Sequence, residues 1–499
     1  MVQTSTRYND PYKIKKAKVI RMNEFKIDFS HPYSISPDGE TVPAKKCHIH
    51  FIGIGGISMS GLAQIILKEG FAVSGSDARE SALTRQLAAL GATISYPQQA
   101  ENITPDIYAI VYTAAIHEDN PEYAAAKASG IPMLSRAEFL GQLMDNYARS
   151  VAVAGTHGKT TTTSMITHIL LAAHTDPTIS VGGILKAING NIRVGSSDYF
   201  VTEACEYTNS FLHFYPKYSI VLNVEAEHLD FFKDYDDIRH SFCRFISNTD
   251  AAGTVVINSE IPDHAALTKD FSGTVITYGF DASANIYASD LTYNDFGCAS
   301  FLIHDGSGQT TPVQLIVPGK HNVSNALAAY AVTFQMGIAP DVIAEGLSAF
   351  AGTDRRFQYK GTVDQITIVD DYAHHPTEIK ATLTAAKNYP HKRIVCVFQP
   401  HTYSRTKAFL DDFADALSLA DMVVLADIYA ARETDDLGVS SKDILERLEA
   451  KGVNAYYCPT EETFEGIEKF LLKNCIDGDL LITMGAGNIL EVGEHLLGK

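Results

Sequence analysis

The sequence predicts an α/β protein made of three successive parallel-sheet domains. Two observations predict it. Short apolar runs such as Cys47–Ile52, Val151–Ala154 and Arg393–Phe398 alternate with segments of helical period along almost the whole chain. The length of 499 residues accommodates about three domains at roughly 150 residues each.

Residues 1–45 carry no clear period. Pro32, Ser34, Ser36, Pro37, Asp38 and Gly39 mark turns, so the segment reads as an N-terminal extension, part extended and part loop. Cys47–Ile52 is an apolar strand, Gly53–Ser58 is a glycine turn, and Leu62, Ile65, Ile66 and Leu67 form the apolar face of a helix that Gly70 ends. The next strand, Phe71–Asp77, carries Asp77 at its tip. Strands at Ile107–Thr113 and Ile131–Leu134 alternate with helices at Glu122–Ala128 and 135–147, the latter with Ser135 as N-cap. The result is a doubly wound, Rossmann-like domain over 46–147.

The central domain, 148–351, opens with Val151–Ala154 and a helix through Met165, Ile166 and Ile169. Further strands are expected at Tyr199–Thr202, Tyr218–Leu222, Gly253–Ile257 and Val275–Thr277. Between about 285 and 317 the pattern shifts to short alternating strands, which fits a small antiparallel insertion. Helices at Val323–Met336 and near 340–349 close the domain. A second Rossmann-like domain, 352–499, has strands at Ile366–Val369, Arg393–Phe398, Met422–Leu425 and Leu480–Thr483.

Composition narrows the function. The formal charge of −19 argues against a general nucleic-acid or anionic-membrane surface, though a local phosphate pocket is compatible with it. No run of about 18 apolar residues spans a membrane, and the polar first twenty residues are not a secretory signal, so a cytoplasmic enzyme is expected. The seven cysteines are scattered, without Cys-x-x-Cys spacing, and read mostly as small core residues.

The stretch Gly155-Thr156-His157-Gly158-Lys159-Thr160-Thr161 lies between a strand and a helix. A helix N-terminus offers unpaired N–H groups and its positive dipole end to a phosphate. Lys159 can reach the terminal phosphates of ATP, and the Thr160 hydroxyl can bind Mg²⁺. The loop departs from the usual P-loop spacing, since it opens at Gly155 where Val153 would hold the first glycine. Nucleotide binding outweighs a merely structural turn here, and the central domain is expected to be P-loop ATPase-like.

Four other constellations recur at strand ends. Gly53-x-Gly55-x-x-Ser58 has serine for the third glycine of a dinucleotide fingerprint. It could lay N–H groups along a diphosphate, with Asp77 on a ribose or base, or be a plain tight turn. Glu203 and His228 follow strands that point toward the same crevice as the Gly155 loop, which suits Mg²⁺. Asn322 and Asn325 share a helix face, although N-capping by Asn322 would also explain the first. Arg356 offers planar donors to phosphate oxygens, Asp371 could hold a ribose, and Arg405 could grip a free carboxylate beside His401.

In order, these segments resemble the Mur ligase family. The resembling stretches are Gly53–Ala63, Gly155–Thr160, Glu203–Glu206, Asn223–Asp230, Pro318–Ala329, Asp370–Pro376, Phe398–Thr406, Asp427–Glu433 and Met484–Asn488. The resemblance runs from about residue 47 to 490. It implies ATP-dependent joining of L-alanine to the lactyl carboxylate of UDP-N-acetylmuramate through an acyl phosphate, with Mg²⁺. It implies that Gly53, Gly55, Gly56, Ile57, Ser58, Ser76 and Asp77 bind the UDP-sugar. Gly155–Thr161, Asn322, Asn325, Arg356 and Asp371 would bind ATP, and Thr160, Glu203 and His228 the metal, with Glu206 and Asp230 as further acidic residues. Lys159, Glu203, His228 and Arg356 would be catalytic, while Tyr372, His374, His375, His401 and Arg405 would receive the amino acid. A weak homo-oligomer is compatible. The chain departs from some relatives at Thr402, where they carry arginine, and at Thr113 or Ala114, one of which is serine in them.

Alternatives are a peptide-recycling relative acting on the same sugar nucleotide, a non-catalytic nucleotide sensor and, more distantly, a nicotinamide oxidoreductase. The Gly-Gly-Ile-Ser stretch at 55–58 departs from the Cys-Gly-Thr-Phe of the first. The intact Lys159, Glu203, His228, Asn322 and Arg356 oppose the second. The third leaves the Gly155 loop unexplained.

Overall fold

A computed structural model describes residues 26–30, 47–229, 231–431, 433–434, 437–460 and 463–499. Most of the N-terminal extension, and Asp230, lie outside the described residues. The chain divides into two compact units at Ala148/Arg149.

The first unit is a five-stranded parallel sheet in the order Thr93–Ser95, Ala72–Ser76, His48–Ile52, Ala109–Tyr112, Met133–Ser135. The strand order reverses at His48–Ile52, and the Gly53 turn leaves that strand at the reversal, where open parallel sheets leave a crevice. Helix Ile57–Lys68 packs on the sheet through Met59, Leu62, Ala63, Ile65 and Ile66. Helix Arg136–Met144 starts as expected at Ser135, which forms a capping box with Glu138. Residues 26–30 run against this helix: Ile27 N–H donates to Gln142 Oε1 and Phe29 N–H to Asn146 Oδ1.

The second unit contains two sheets. The larger has ten strands, ordered Thr310–Pro318, Cys298–His304, Ile286–Tyr293, Thr274–Gly279, Thr254–Asn258, Tyr218–Val221, Arg149–Ala154, Tyr199–Ala204, Thr178–Leu185, Gly190–Arg193. Strands Arg149–Ala154, Tyr199–Ala204 and Tyr218–Val221 run parallel side by side. Val151 and Val153 are wholly buried, because helices cover both faces. Two of the covering helices are Lys159–Ala172 and Lys320–Gln335. The latter buries Val323 and every residue from Asn325 to Thr333, so it is a core helix without a solvent face.

The expected antiparallel insertion is present but is not a separate piece. Its three strands extend the main sheet, joining it through the pair Thr274–Gly279 and Ile286–Tyr293. The alternating pattern predicted the strands, and only the pairing of Tyr278 and Gly279 with Ile286 and Tyr287 decided where they attach.

The second sheet has six strands, ordered Gln358–Val363, Ile366–Asp371, Leu480–Met484, Ile394–Phe398, Met422–Leu425, Ala455–Tyr457. The first is an antiparallel edge strand that the sequence did not suggest. Among the cysteines only Cys47, Cys298 and Cys396 are buried, fewer than composition implied. No helix among the described residues is long and apolar enough to cross a membrane.

Candidate active site

The loop Gly155–Gly158 leaves its strand and enters helix Lys159–Ala172 through two residues with positive φ, Gly155 at +144° and Gly158 at +84°. A Cβ on Gly158 would lie 2.6 Å from Asn325 Oδ1, and one on Gly155 2.8 Å from Leu222 Cβ, so both positions demand glycine. Asn223 clamps the loop: its Oδ1 accepts from His157 N–H at 2.7 Å and its amide donates to the His157 carbonyl at 3.1 Å. Thr156 Oγ1 accepts from Glu225 N–H at 3.0 Å. Thr160 and the buried Thr161 lie in the first helical turn.

Each cation around this loop is held by a carboxylate. Lys159 Nζ donates to Glu206 Oε2 at 2.9 Å, to the Thr156 carbonyl at 3.1 Å and to the Gly155 carbonyl. Burial opposes the Lys159 charge, but Glu206 outweighs it and raises the pKa. His157 Nδ1 lies 3.1 Å from Glu378 Oε1 and its Nε2 3.5 Å from Glu225 Oε2. Burial again opposes the charge, and the two carboxylates override it, holding the His157 imidazolium up to about 9. Arg356 lies over the Tyr372 ring and 3.7 Å from Glu378 Oε1.

Glu203 falls inside the strand Tyr199–Ala204 and not beyond it. Its Oε1 accepts from Gly182 N–H, and its other oxygen has no hydrogen-bond partner among the described residues. His228 has φ +55° and a ring 4.6 Å from that of Tyr207. It faces Glu206 Oε1 at 3.7 Å, a buried oxygen with no hydrogen-bond partner among the described residues. Burial lowers the His228 pKa, leaving a neutral imidazole able to ligate a metal. Hard carboxylate oxygens, one of them orphaned, with a neutral imidazole and the Thr160 hydroxyl nearby in sequence to Lys159, are a donor set that fits Mg²⁺ beside phosphate.

Asn322 is the third residue of its helix, whose N-cap is Gly319, so it does not cap. Its amide donates back to the Pro318 carbonyl at 2.7 Å, and Asn325 donates to Asn322 Oδ1 at 3.3 Å. Both asparagines line a cavity shared with His157, Gly158, Thr161, Arg356 and Asp371. Asp371 accepts from Phe357 N–H and Ala373 N–H, each at 2.8 Å, and burial pushes its carboxyl up to about 6 against the pull of Arg356.

A neighbouring cavity is lined by Glu227, His228, His374, His401 and Arg405. Arg405 grips Glu227 Oε1 at 2.7 and 2.9 Å and also donates to His401 Nδ1 at 3.0 Å. Burial would raise the Glu227 carboxyl, but Arg405 and the adjacent histidines hold it at about 2. His375 lies between the two sets of residues, its ring 4.8 Å from that of His157 and its Nε2 3.6 Å from Glu227 Oε2. Tyr372 stands edge-on to His374 at 5.3 Å.

His157, Glu227 and His375 offer ligand atoms within 4.8 Å of one another. Protonation opposes a metal there. Against burial, Glu378 and Glu225 raise the His157 pKa to about 9, which favours its protonated ring, and His375 Nδ1 accepts from Thr377 N–H at 3.3 Å, which puts the neutral ring's proton on Nε2. The two Nε2 atoms are buried and without hydrogen-bond partners among the described residues, an arrangement suited to an anionic oxygen.

In the first unit, Gly53 N–H and Ile54 N–H both donate to the Ser76 carbonyl at 2.9 Å. Asp77 Oδ2 accepts from Gly55 N–H at 2.8 Å, so this carboxylate braces the glycine turn. Gly56 is the helix N-cap and Ile57 is 61% exposed at the helix start. Ser58 Oγ accepts from Arg136 at 3.3 Å, and Ser76 Oγ donates to the buried Glu122. Glu122 also meets His50 Nε2 at 2.7 Å.

Sequence reasoning missed Arg136, Glu122, Glu225, Glu227 and Glu378. Glu225 and Glu227 flank His228 closely enough to have been flagged by that spacing. Arg136, Glu122 and Glu378 come from helices whose partners are distant in the chain, and no local pattern points to them.

Three family models match the chain in order: the Mur ligase family catalytic domain over residues 48–148, the Mur ligase middle domain over 153–333, and the Mur ligase glutamate ligase domain over 355–487. A curated UDP-N-acetylmuramate–L-alanine ligase of Agathobacter rectalis is 63% identical over 475 residues, covering 95% of this chain and 100% of that protein. The solved UDP-N-acetylmuramate–alanine ligase of Thermotoga maritima is 30% identical with a TM-score of 0.72, covering 90% of this chain and 98% of its own. A murein peptide ligase from Psychrobacter arcticus is 25% identical with a TM-score of 0.64, covering 91% and 98%.

Proposed function

The chain belongs to the Mur ligase family, and we propose that it joins L-alanine to the lactyl carboxylate of UDP-N-acetylmuramate. ATP is cleaved to ADP and phosphate, and the product, UDP-N-acetylmuramoyl-L-alanine, is a peptidoglycan precursor. The reaction belongs in the cytoplasm, where the nucleotide substrates are. The single observation that carries the reading is that the Gly155–Thr160 loop, Arg356 and the Arg405–His401 pair are linked through Glu378, Glu227 and His375 in one compact unit. Phosphate-binding and carboxylate-binding groups are thus a few side chains apart.

The lactyl carboxylate attacks the γ-phosphorus, and the bond to ADP breaks. The product acyl phosphate carries a good leaving group. Lys159, His157 and Arg356 stabilise charge on the transferred phosphoryl group, exchanging their carboxylate partners for phosphate oxygens. Thr160, Glu203 and His228 would hold Mg²⁺, which supplies charge neutralisation at the phosphates. Asn322, Asn325 and Asp371 take the nucleoside side of the cavity. The L-alanine carboxylate displaces Glu227 from Arg405, placing the amine beside His374 and Tyr372. In the first unit the Gly53–Ser58 turn, with Ser76 and Asp77, receives the UDP-sugar.

Phosphate release with ATP, Mg²⁺ and UDP-N-acetylmuramate, with and without L-alanine, tests this. L-Alanine-dependent release with an alanyl sugar nucleotide found by mass supports the reading. Release that requires a peptide in place of alanine would assign the chain to the recycling reaction. ATP binding without any release would make it a sensor.

A further inference from the structure

Two adjacent histidines begin the helix Pro376–Ala386, and their hydrogen bonds give them opposite protonation patterns. His375 is the N-cap, and its Nδ1 accepts from Thr377 N–H at 3.3 Å. An accepting Nδ1 is unprotonated, so in the neutral ring the proton sits on Nε2. That Nε2 is buried, without a hydrogen-bond partner among the described residues, and 3.6 Å from Glu227 Oε2. His375 therefore directs an N–H toward Glu227 and has no free lone pair.

His374 is the reverse. Its Nδ1 lies 2.9 Å from the Tyr372 carbonyl and 3.4 Å from Glu378 Oε2, and both oxygens can only accept. Its proton must be on Nδ1. The Nε2 lone pair has no hydrogen-bond partner among the described residues, and the side chain is 20% exposed where it lines the cavity with His401 and Arg405. The ring is held edge-on by Tyr372 and by His401 at 5.6 Å. A fixed ring with its lone pair toward the amino-acid cavity has the geometry of a proton acceptor.

We propose that His374, and not His375, takes the proton from the attacking amine. The inference rests on the ligase reading above. As the alanine nitrogen bonds to the carbonyl carbon of the acyl phosphate, the carbonyl π pair moves to oxygen and the nitrogen becomes strongly acidic. His374 Nε2 accepts its proton. The oxygen pair then re-forms the carbonyl, the C–O bond breaks, and phosphate departs with that electron pair. Burial, reinforced by Arg405 and opposed by Glu378 and Glu227, lowers the His374 pKa to about 4, so the lone pair is available at neutral pH until the C–N bond forms.

The test has two arms. Histidine-selective ¹⁵N NMR of the wild-type protein should show the proton on Nδ1 of His374 and on Nε2 of His375. Kinetically, His374→Gln should lower alanine ligation by roughly a hundredfold or more. The same variant should still form acyl phosphate and pass it to hydroxylamine at close to the wild-type rate, because the protonated nitrogen of the hydroxylamine adduct is far more acidic than that of the alanine adduct and loses its proton to water without a side-chain base. His375→Gln should change the two nucleophiles' rates in parallel. Parallel loss of hydroxylamine and alanine transfer in His374→Gln, or a proton on Nε2 of His374, would overturn the proposal. No alanyl product from the wild type would remove the ligase reading and the base assignment with it. A contrary NMR or hydroxylamine result beside a working wild type would remove the base assignment alone.

Discussion

Glu378 Oε1 sits 3.1 Å from His157 Nδ1, so a carboxylate on the helix Pro376–Ala386 is seated against the phosphate-binding loop. The same oxygen lies 3.7 Å from Arg356. One anion thus bridges two groups assigned to the transferred phosphoryl, and it links the two sheets of the second unit.

This pair makes stability depend on pH. The His157 pKa is raised from about 6.5 in the unfolded chain to about 9 when folded. A raised cation contributes fully below the unfolded value and loses its contribution as pH rises through the folded one. The melting temperature should fall between about pH 6.5 and 9, reflecting roughly 3 kcal/mol. Glu378→Gln should flatten that slope in thermal melts. An unchanged slope would place the raised pKa elsewhere.

Lys159 and Glu206 form the second such pair, both side chains mostly buried. Lys159→Ala should reduce phosphate release by roughly 10²–10³-fold. It should also destabilise the fold by about 3–5 kcal/mol, because Glu206 is left as an unpaired buried charge. Adding Glu206→Gln to Lys159→Ala should recover much of the melting temperature and none of the activity. Recovery of activity would show that Lys159 acts only as a counter-ion.

For the metal, Glu203→Gln should raise the Mg²⁺ concentration at half-maximal rate by roughly tenfold or more, in line with loss of one ligand or its orienting partner. Titrating Mg²⁺ at saturating ATP checks this. An unchanged Mg²⁺ dependence would leave Glu206 as the acidic ligand.

Gly158→Ala should abolish ATP binding while costing about 1–2 kcal/mol of stability, from the positive φ and the 2.6 Å approach to Asn325. Gly190→Ala is the matched control, since no atom of the described residues lies within 4 Å of its added Cβ. Calorimetric ATP titrations of the two variants should separate them clearly.

In the first unit, Glu122→Ala should destabilise by about 3–5 kcal/mol, because it strands His50 and Ser76 in the core. The KM for UDP-N-acetylmuramate should rise with little change in kcat, since Ser76 also anchors the glycine turn through its carbonyl. A kcat effect without a KM effect would argue against a role at that turn.

The sequence by itself determined the α/β class, the strand–turn–helix units at Gly53 and Gly155, and the cap at Ser135. These depend on local chemistry: apolar period, glycine where φ is positive, and a hydroxyl followed three residues later by a carboxylate. It also singled out Glu203, His228, Arg356 and Arg405 as candidate site residues, although Glu203 lies inside its strand and Arg405 in a helix. Only the tertiary structure decided their partners. Glu206 meets Lys159 and His228 across 47 and 22 residues, Glu378 meets His157 across 221, and Glu227 meets Arg405 across 178. The same is true of the antiparallel strands that extend the central sheet and of the opposite tautomers of His374 and His375. Pairing energies at such separations depend on burial and angstrom-scale distance, which no window of neighbouring residues encodes.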